Sequence, residues 1–256
     1  MNLFRDSSHT QVSVDRTTAT HGDVGRLTSR SPRVRGAGRG SGNRVLAVMF
    51  ATLASAQASC AGAETEPIFN GRDLAGWHVS ATNHHGQTRA WRVEEGVLVG
   101  GQEREGVGGV LLTNRRYRDV EVALDVWPDF GCDSGLFLRS SEDGAAYQVM
   151  IDYLEGGNVG GVYGEGLEEL DAKPNLDWVK VWRPSEWNHL RARIDGNVPH
   201  ITVWINGAMI TDWTDTANHA AGQAVSGAIG LQVHGGSRWL RGGRIRFRNI
   251  TVRELR

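Results

Sequence analysis

Asp119-Val120-Glu121-Val122-Ala123-Leu124-Asp125-Val126-Trp127 sends Val120, Val122, Leu124 and Val126 to one side and Glu121, Ala123, Asp125 and Trp127 to the other. Alternation with period two is the mark of a half-buried β-strand, because successive side chains leave opposite faces of the pleat. The pattern repeats outward in both directions. Upstream, Trp91 to Gly100 reads as a hairpin turning at Glu95-Gly96. Downstream, Ser134 to Arg139 and Tyr147 to Tyr153 read as two strands joined by a polar turn at Ser140 to Gly144. His189 to Asp195 is another strand. His200 to Asn206 and Ala208 to Trp213 pair across Asn206-Gly207, the strongest short hairpin signal. Ala228 to His234 and Arg244 to Leu255 complete the set. Many short strands, frequent glycine turns and no long helical period predict an all-β fold, a sandwich of two antiparallel sheets or a jelly roll. Glu155 to Pro184, rich in glycine and then in acidic residues and proline, reads as a long irregular insertion of the functional-loop kind.

Around this patterned region the chain has 256 residues, of which 39% are hydrophobic and 22% charged, enough for a real core. Basic and acidic residues number 28 and 29, which argues against a nucleic-acid partner. Two cysteines exclude a disulfide-dense scaffold and a four-cysteine zinc module. No apolar run reaches the roughly 18 residues of a membrane span.

The near-neutral total hides two opposite halves. Residues 1–44 hold eight Arg and three Asp with no Lys or Glu, a net of +5, and read as a disordered leader or an over-extended gene start. Val45 to Ala54 is a short apolar stretch behind Arg39 and Arg44. With Ala56-Gln57-Ala58 and Ala61-Gly62-Ala63 as small-residue cleavage sites, residues 45–63 read as a secretory signal, which predicts a periplasmic or secreted protein. Cys60 offers a minor alternative, a lipid anchor, although Gln57 stands where a lipobox wants Leu. Cleavage after Ala58 leaves Cys60 free to pair with Cys132, whereas cleavage after Ala63 leaves Cys132 alone. Without residues 1–58 the chain keeps 20 basic and 26 acidic residues, net -6, and all nine Trp. Residues 66–256 are expected to form one domain.

Alternation also assigns polar residues to faces. Gln148 and Asp152 fall together with Met150, Gln232 falls with His234, and Arg139 falls with Phe137. Asp125 and Trp127 share a face, and His200 and Trp204 share another. If these faces belong to one concave sheet, they form a groove of Asp, Arg, Gln, His and Trp that suits a sugar. Aromatic faces stack on the C–H side of a sugar ring and planar polar groups bond its hydroxyls. The competing reading is an ordinary solvated sheet face with Trp packed at its rim. His84-His85 lies in a polar turn where solvent exposure is the default. Gly160 to Gly166 is not a phosphate loop, since no Lys-Ser/Thr follows it.

Read together, the motifs carry a resemblance. They are Ile68-Phe69-Asn70-Gly71-Arg72-Asp73-Leu74-Ala75-Gly76-Trp77, Ser134 to Arg139, Tyr147 to Asp152, Gly160-Gly161-Val162-Tyr163-Gly164, Glu186-Trp187-Asn188, Trp204-Ile205-Asn206-Gly207, Ile229 to Gly235 and Phe247 to Ile250. In this order they resemble the 3-keto-disaccharide hydrolases, also described as 3-keto-glucoside 1,2-lyase and 3-keto-2-hydroxy-glucal hydratase domains. The resemblance covers about residues 66–256. It implies a concanavalin-like jelly roll, export, and cleavage of 3-keto-glycosides by elimination and hydration or net hydrolysis. One departure stands out: Gln148 occupies a position where the family often has Glu, and Asp152 is the expected substitute. A ketone at C3 makes the C2 proton acidic, so such chemistry needs a base, an electrophile for the enolate oxygen and an acid for the leaving group. The expected base is His234 or Asp152. The expected oxyanion partner is Arg139 or a divalent cation held by Asp152 and His234, and the expected acid is Tyr163. Gln148, Gln232, Trp127, Trp204 and Asp125 are the expected substrate contacts. The alternatives are a lectin-like carbohydrate-binding module, favoured by Gln148, and an interaction domain that binds no sugar.

Overall fold

The structure is a computed structural model and describes residues 64–167, 170 and 176–255. The expected leader, signal region and Cys60 lie outside the described residues. Fourteen strands are described: β1 (Thr65–Pro67), β2 (Trp77–Val79), β3 (Trp91–Glu94), β4 (Val97–Gly101), β5 (Gly109–Tyr117), β6 (Val120–Pro128), β7 (Ser134–Ser140), β8 (Ala146–Ile151), β9 (Val159–Glu165), β10 (Asn188–Asp195), β11 (His200–Ile205), β12 (Ala208–Thr214), β13 (Gly227–Val233) and β14 (Arg244–Glu254). Two short 3-10 turns, Leu176–Lys180 and Ala221–Gln223, are the only helical elements among the described residues.

All pairings are antiparallel and form two sheets. The first runs β12-β11-β10-β6-β14-β4-β3, with β1 also on β14; the second runs β2-β5-β13-β7-β8-β9. This is the expected jelly-roll sandwich. Its core forms where Leu98, Leu124, Leu190 and Phe247 of the first sheet meet Leu111, Leu136, Tyr147 and Leu231 of the second. Each such side chain is almost wholly enclosed and stabilises the fold by about 1.5–3 kcal/mol.

The outer faces differ. On the first sheet Glu121, Asp125 and Trp127 are half-buried between the inward Val122, Leu124 and Val126, as the alternation predicts. On the second, β7 and β13 are buried along their whole length, so their outer face is covered too. The cover is the connection between β2 and β3: the Gly108 amide bonds the His85 carbonyl at 2.7 Å, and the Gly235 amide reaches His85 Nδ1 at 3.1 Å. Phe137, Val110, Leu112, Ala146 and Ala228 form a small apolar cluster distinct from the main core.

Two differences from the sequence reading have physical causes. The stretch read as an irregular insertion contains β9, an edge strand of the second sheet whose four glycine-separated apolar and polar residues do not alternate clearly. Strand β5 escaped notice because its first five residues are all buried. The Asn206-Gly207 hairpin does form. The Asn206 carboxamide oxygen accepts the His189 amide at 2.9 Å, and its nitrogen donates to the Val181 carbonyl and to Asn188 Oδ1, each at 2.8 Å.

Candidate functional site

Three strand ends collect at one edge of the second sheet. Strand β7 begins just after Asp133, β8 ends just before Asp152, and β13 ends just before His234. The antiparallel register Ser134↔Ile151 and Leu136↔Leu231 makes these ends neighbours. Arg238, from the connection leading to β14, bridges the two carboxylates: its Nε lies 3.1 Å from Asp133 Oδ2, and its Nη2 bonds Asp152 Oδ2. Both carboxylates are buried, while the Arg238 side chain is 40% exposed. Burial first, and then the neighbouring Asp152 charge, push the Asp133 carboxyl up to about 7.

His234 Nδ1 faces the Gly235 carbonyl. A carbonyl only accepts, so Nδ1 carries the hydrogen and Nε2 the lone pair. That Nε2 lies 3.7 Å from Asp133 Oδ2. Burial, followed by the adjacent His85, lowers the His234 pKa below 6.5. The pair therefore has a basic nitrogen free at neutral pH beside a carboxyl able to hold a proton there.

A second group continues along the same face. The rings of His85 and His234 are 4.4 Å apart, and those of His84 and His85 4.0 Å apart. The Gly235 amide points at His85 Nδ1 from 3.1 Å. His85 Nε2 lies 2.8 Å from Gln232 Nε2, a second donor, so a neutral His85 accepts from only one of the two, and Gln148 Nε2 donates to Gln232 Oε1 at 3.0 Å. Glu165 Oε1 lies 3.0 Å from His84 Nδ1 and 3.2 Å from His85 Nε2, yet it is buried and accepts no aligned hydrogen bond among the described residues. These three ligand atoms lie within 4.8 Å of one another. His84 and Glu165 offer lone pairs to a cation directly; His85 can do so only by giving up the Gly235 amide, the reverse of the usual histidine ligand that donates its other N–H.

The structure brings His234, Asp152, Gln148, Gln232 and Tyr163 to the outer face or adjoining edge of the second sheet. Tyr163 sits on β9 opposite Gln148, with half its surface exposed, and not in a loop. The single groove expected from the alternation is corrected. Asp125, Trp127 and Trp204 lie on the first sheet, and their surroundings are occupied: Asp125 bonds His189, Arg248 and Asn249. Arg191 sits 3.9 Å over the Trp204 ring, and Arg246 sits 5.3 Å from the Trp127 centroid. Arg139 is also elsewhere. Its φ of 53° breaks the alternation that placed it with Phe137. Its enclosed guanidinium bonds Asp119 and the Arg118 and Gly196 carbonyls. A cation shared by Asp152 and His234 is corrected as well, since Asp152 Oδ2 is taken by Arg238 and His234 faces Asp133. Sequence reasoning missed Asp133, Arg238, His85 and Glu165. The available signals were the position of Asp133 directly before a strand, the doubled histidine, and a carboxylate two residues beyond Tyr163 on the same face.

A family model described as 3-keto-alpha-glucoside-1,2-lyase-like domain matches residues 64–253. No curated protein matches the chain. Among solved structures, the chain is similar to a candidate glycosyl hydrolase from Parabacteroides distasonis at 24% identity and a TM-score of 0.53, over 75% of this chain and 100% of that one. It is similar to a native glycosidic hydrolase at 10% identity and a TM-score of 0.51, over 75% and 95% of the two chains. A carbohydrate-binding module, CBM66 from Bacillus subtilis, matches at 14% identity and a TM-score of 0.43, over 70% and 96%. At these identities the likenesses to the two hydrolases speak to the fold alone.

Proposed function

The chain belongs to the 3-keto-alpha-glucoside-1,2-lyase-like domain family, and from that premise we propose an exported enzyme that cleaves 3-keto-glycosides at the edge of the second sheet. The observation that carries this reading is the His234–Asp133–Arg238–Asp152 group, which supplies a base, an acid and a cation within one set of contacts.

In the elimination step the C2–H bond breaks and its proton goes to His234 Nε2. The electron pair enters the C2–C3 enolate, whose oxygen is stabilised by the exposed part of the Arg238 guanidinium. The pair then forms the C1–C2 double bond as the C1–O bond breaks, and protonated Asp133 gives its proton to the departing oxygen. Addition of water across that double bond completes a net hydrolysis. Asp152 holds Arg238 in place from the other side. Gln148 and Gln232, almost wholly buried and bonded to each other, are positioning residues behind His85 and not open sugar contacts.

The test is turnover of a 3-keto-glucoside by the purified protein, followed by product analysis for the 2-hydroxy-glucal. His234→Gln is expected to lower kcat by about 10²–10⁴-fold, the usual worth of a positioned base. No turnover on a panel of 3-keto-glycosides, with and without added divalent cation, would overturn the proposal. A second reading, a sugar-binding module without catalysis, is favoured by Gln148 standing where the family often has Glu. It predicts saturable sugar binding that survives His234→Gln in a protein that turns nothing over.

A further inference from the structure

A cleft of about 680 Å³ opens beside this site. That is within the ordinary range of small-molecule sites, roughly 300–1,000 Å³. Its lining includes Ser80, Asn83, Gln87, Arg89, Glu103 and Arg104. Asn83 and Gln87 are committed to the loop itself. Asn83 Oδ1 accepts the His85 amide at 2.9 Å, and Gln87 Nε2 donates to the Ser80 and Ala81 carbonyls. The turn they stabilise carries His84 and His85, so Asn83, Gly86 and Gln87 line the cleft from positions that flank the two histidines. The opposite segment is tied to the same site: Gln102 Nε2 donates to the His234 carbonyl at 2.8 Å, and the Gly236 amide bonds the Gly106 carbonyl at 2.9 Å.

Arg89 and Arg104 distinguish this cleft. Several exposed arginines elsewhere pair with carboxylates, as Arg92 does with Glu94, Arg115 with Glu66 and Glu254, and Arg118 with Asp119. Among the described residues, neither Arg89 nor Arg104 has a carboxylate within ion-pair distance, and Glu103 has no cationic partner. The cleft thus has two uncommitted guanidinium groups against one carboxylate. Each guanidinium presents a planar fork of donors that matches a carboxylate, sulfate or phosphate. Ser80 adds a buried hydroxyl with no hydrogen-bond partner among the described residues.

We infer that this cleft receives the leaving-group unit of the substrate and selects one that carries an oxyanion, held by Arg89 and Arg104. The inference rests on the reading of the adjacent site as cleaving 3-keto-glycosides, to which the bond from Gln102 to the His234 carbonyl ties the Glu103–Arg104 side of the cleft.

The experiment is calorimetric titration of the intact protein with four probes: glucose, glucuronic acid, glucose 6-sulfate and glucose 6-phosphate. The oxyanion-bearing sugars are expected to bind at least about tenfold more tightly than glucose, the factor that one hydrogen bond to a charged group supplies. Comparison among the three anions identifies the group preferred. The double variant R89Q/R104Q is expected to bind all four sugars alike, with an unchanged melting temperature because both side chains are exposed. Equal affinity of the native protein for all four, or an anion preference that survives R89Q/R104Q, overturns the inference. Binding is read without turnover, so the two readings fail separately. An anion preference in a protein inactive on 3-keto-glycosides overturns the enzymatic proposal, whereas turnover without the preference overturns only the cleft assignment.

Discussion

Burial acts on Asp133 and His234 in opposite senses, raising the carboxyl to about 7 and lowering the imidazole below 6.5. The working form has His234 unprotonated and Asp133 protonated. Activity should therefore rise with pH through the His234 pKa and fall again near 7. Recording kcat/KM against pH tests this: His234→Gln should remove the rising limb and Asp133→Asn the falling one. Stability follows the same carboxyl. Its folded pKa is raised above the unfolded value near 3.8, so the folded state holds a proton that the unfolded chain has released. The Asp133 contribution is fully present below pH 4 and is lost as pH rises through about 7, and Asp133→Asn should flatten that decline in urea titrations across the interval. Cys132 is a quieter residue, fully buried, with its thiol pushed up to about 11 chiefly by burial. Native protein should leave it unreacted with a thiol reagent at pH 8, and denaturant should expose it.

Among the elements, the connection over the second sheet depends on glycines for close approach. A Cβ at Gly235 would stand 2.6 Å from the His85 carbonyl oxygen and 2.9 Å from its Cα, backbone atoms that cannot swing aside. Gly235→Ala should destabilise by about 1–3 kcal/mol, as overpacking does, and lower kcat by displacing His85. At Gly236 (φ 69°) a Cβ meets nothing, so Gly236→Ala should cost only the strain of a left-handed alanine, about 1–2 kcal/mol, and leave kcat closer to native. Thermal melts and initial rates separate the two. On the first sheet, Trp127→Ala and Trp204→Ala should leave turnover of the 3-keto-glucoside unchanged, because both rings stack with arginines away from His234. These elements also mark where the chain could be read from sequence. The β6 alternation and the Asn206-Gly207 turn were legible because a strand with one wet face shows its period locally. Strand β5 and the site were not, for a shared reason: once a loop covers a sheet, both faces are buried and alternation no longer tells them apart. His85 reaches Gln232 across 147 positions of chain, a proximity that no local pattern encodes.

For the whole molecule, the sequence builds a two-sheet sandwich of the 3-keto-alpha-glucoside-1,2-lyase-like family, and export is a proposal from the pattern from Val45 to Ala63. Expression in an export-competent bacterium should yield a mature protein beginning after Ala58 or after Ala63, which intact-mass spectrometry distinguishes; an unprocessed chain recovered from the cytoplasm would count against export. A product bearing diacylglycerol on Cys60 would establish the anchored form instead. Among the described residues no helix is long and apolar enough to cross a membrane. The hairpin at Asn206-Gly207 bears on how such a protein ages. An asparagine followed by glycine is the pair most prone to lose its amide, because the next backbone nitrogen can attack the side-chain carbonyl and close a succinimide. At Asn206 the carboxamide is clamped on both sides, by the His189 amide on its oxygen and by the Val181 and Asn188 oxygens on its nitrogen. Ring closure would have to break all three bonds, so the turn that most invites spontaneous deamidation should be durable for as long as the fold holds.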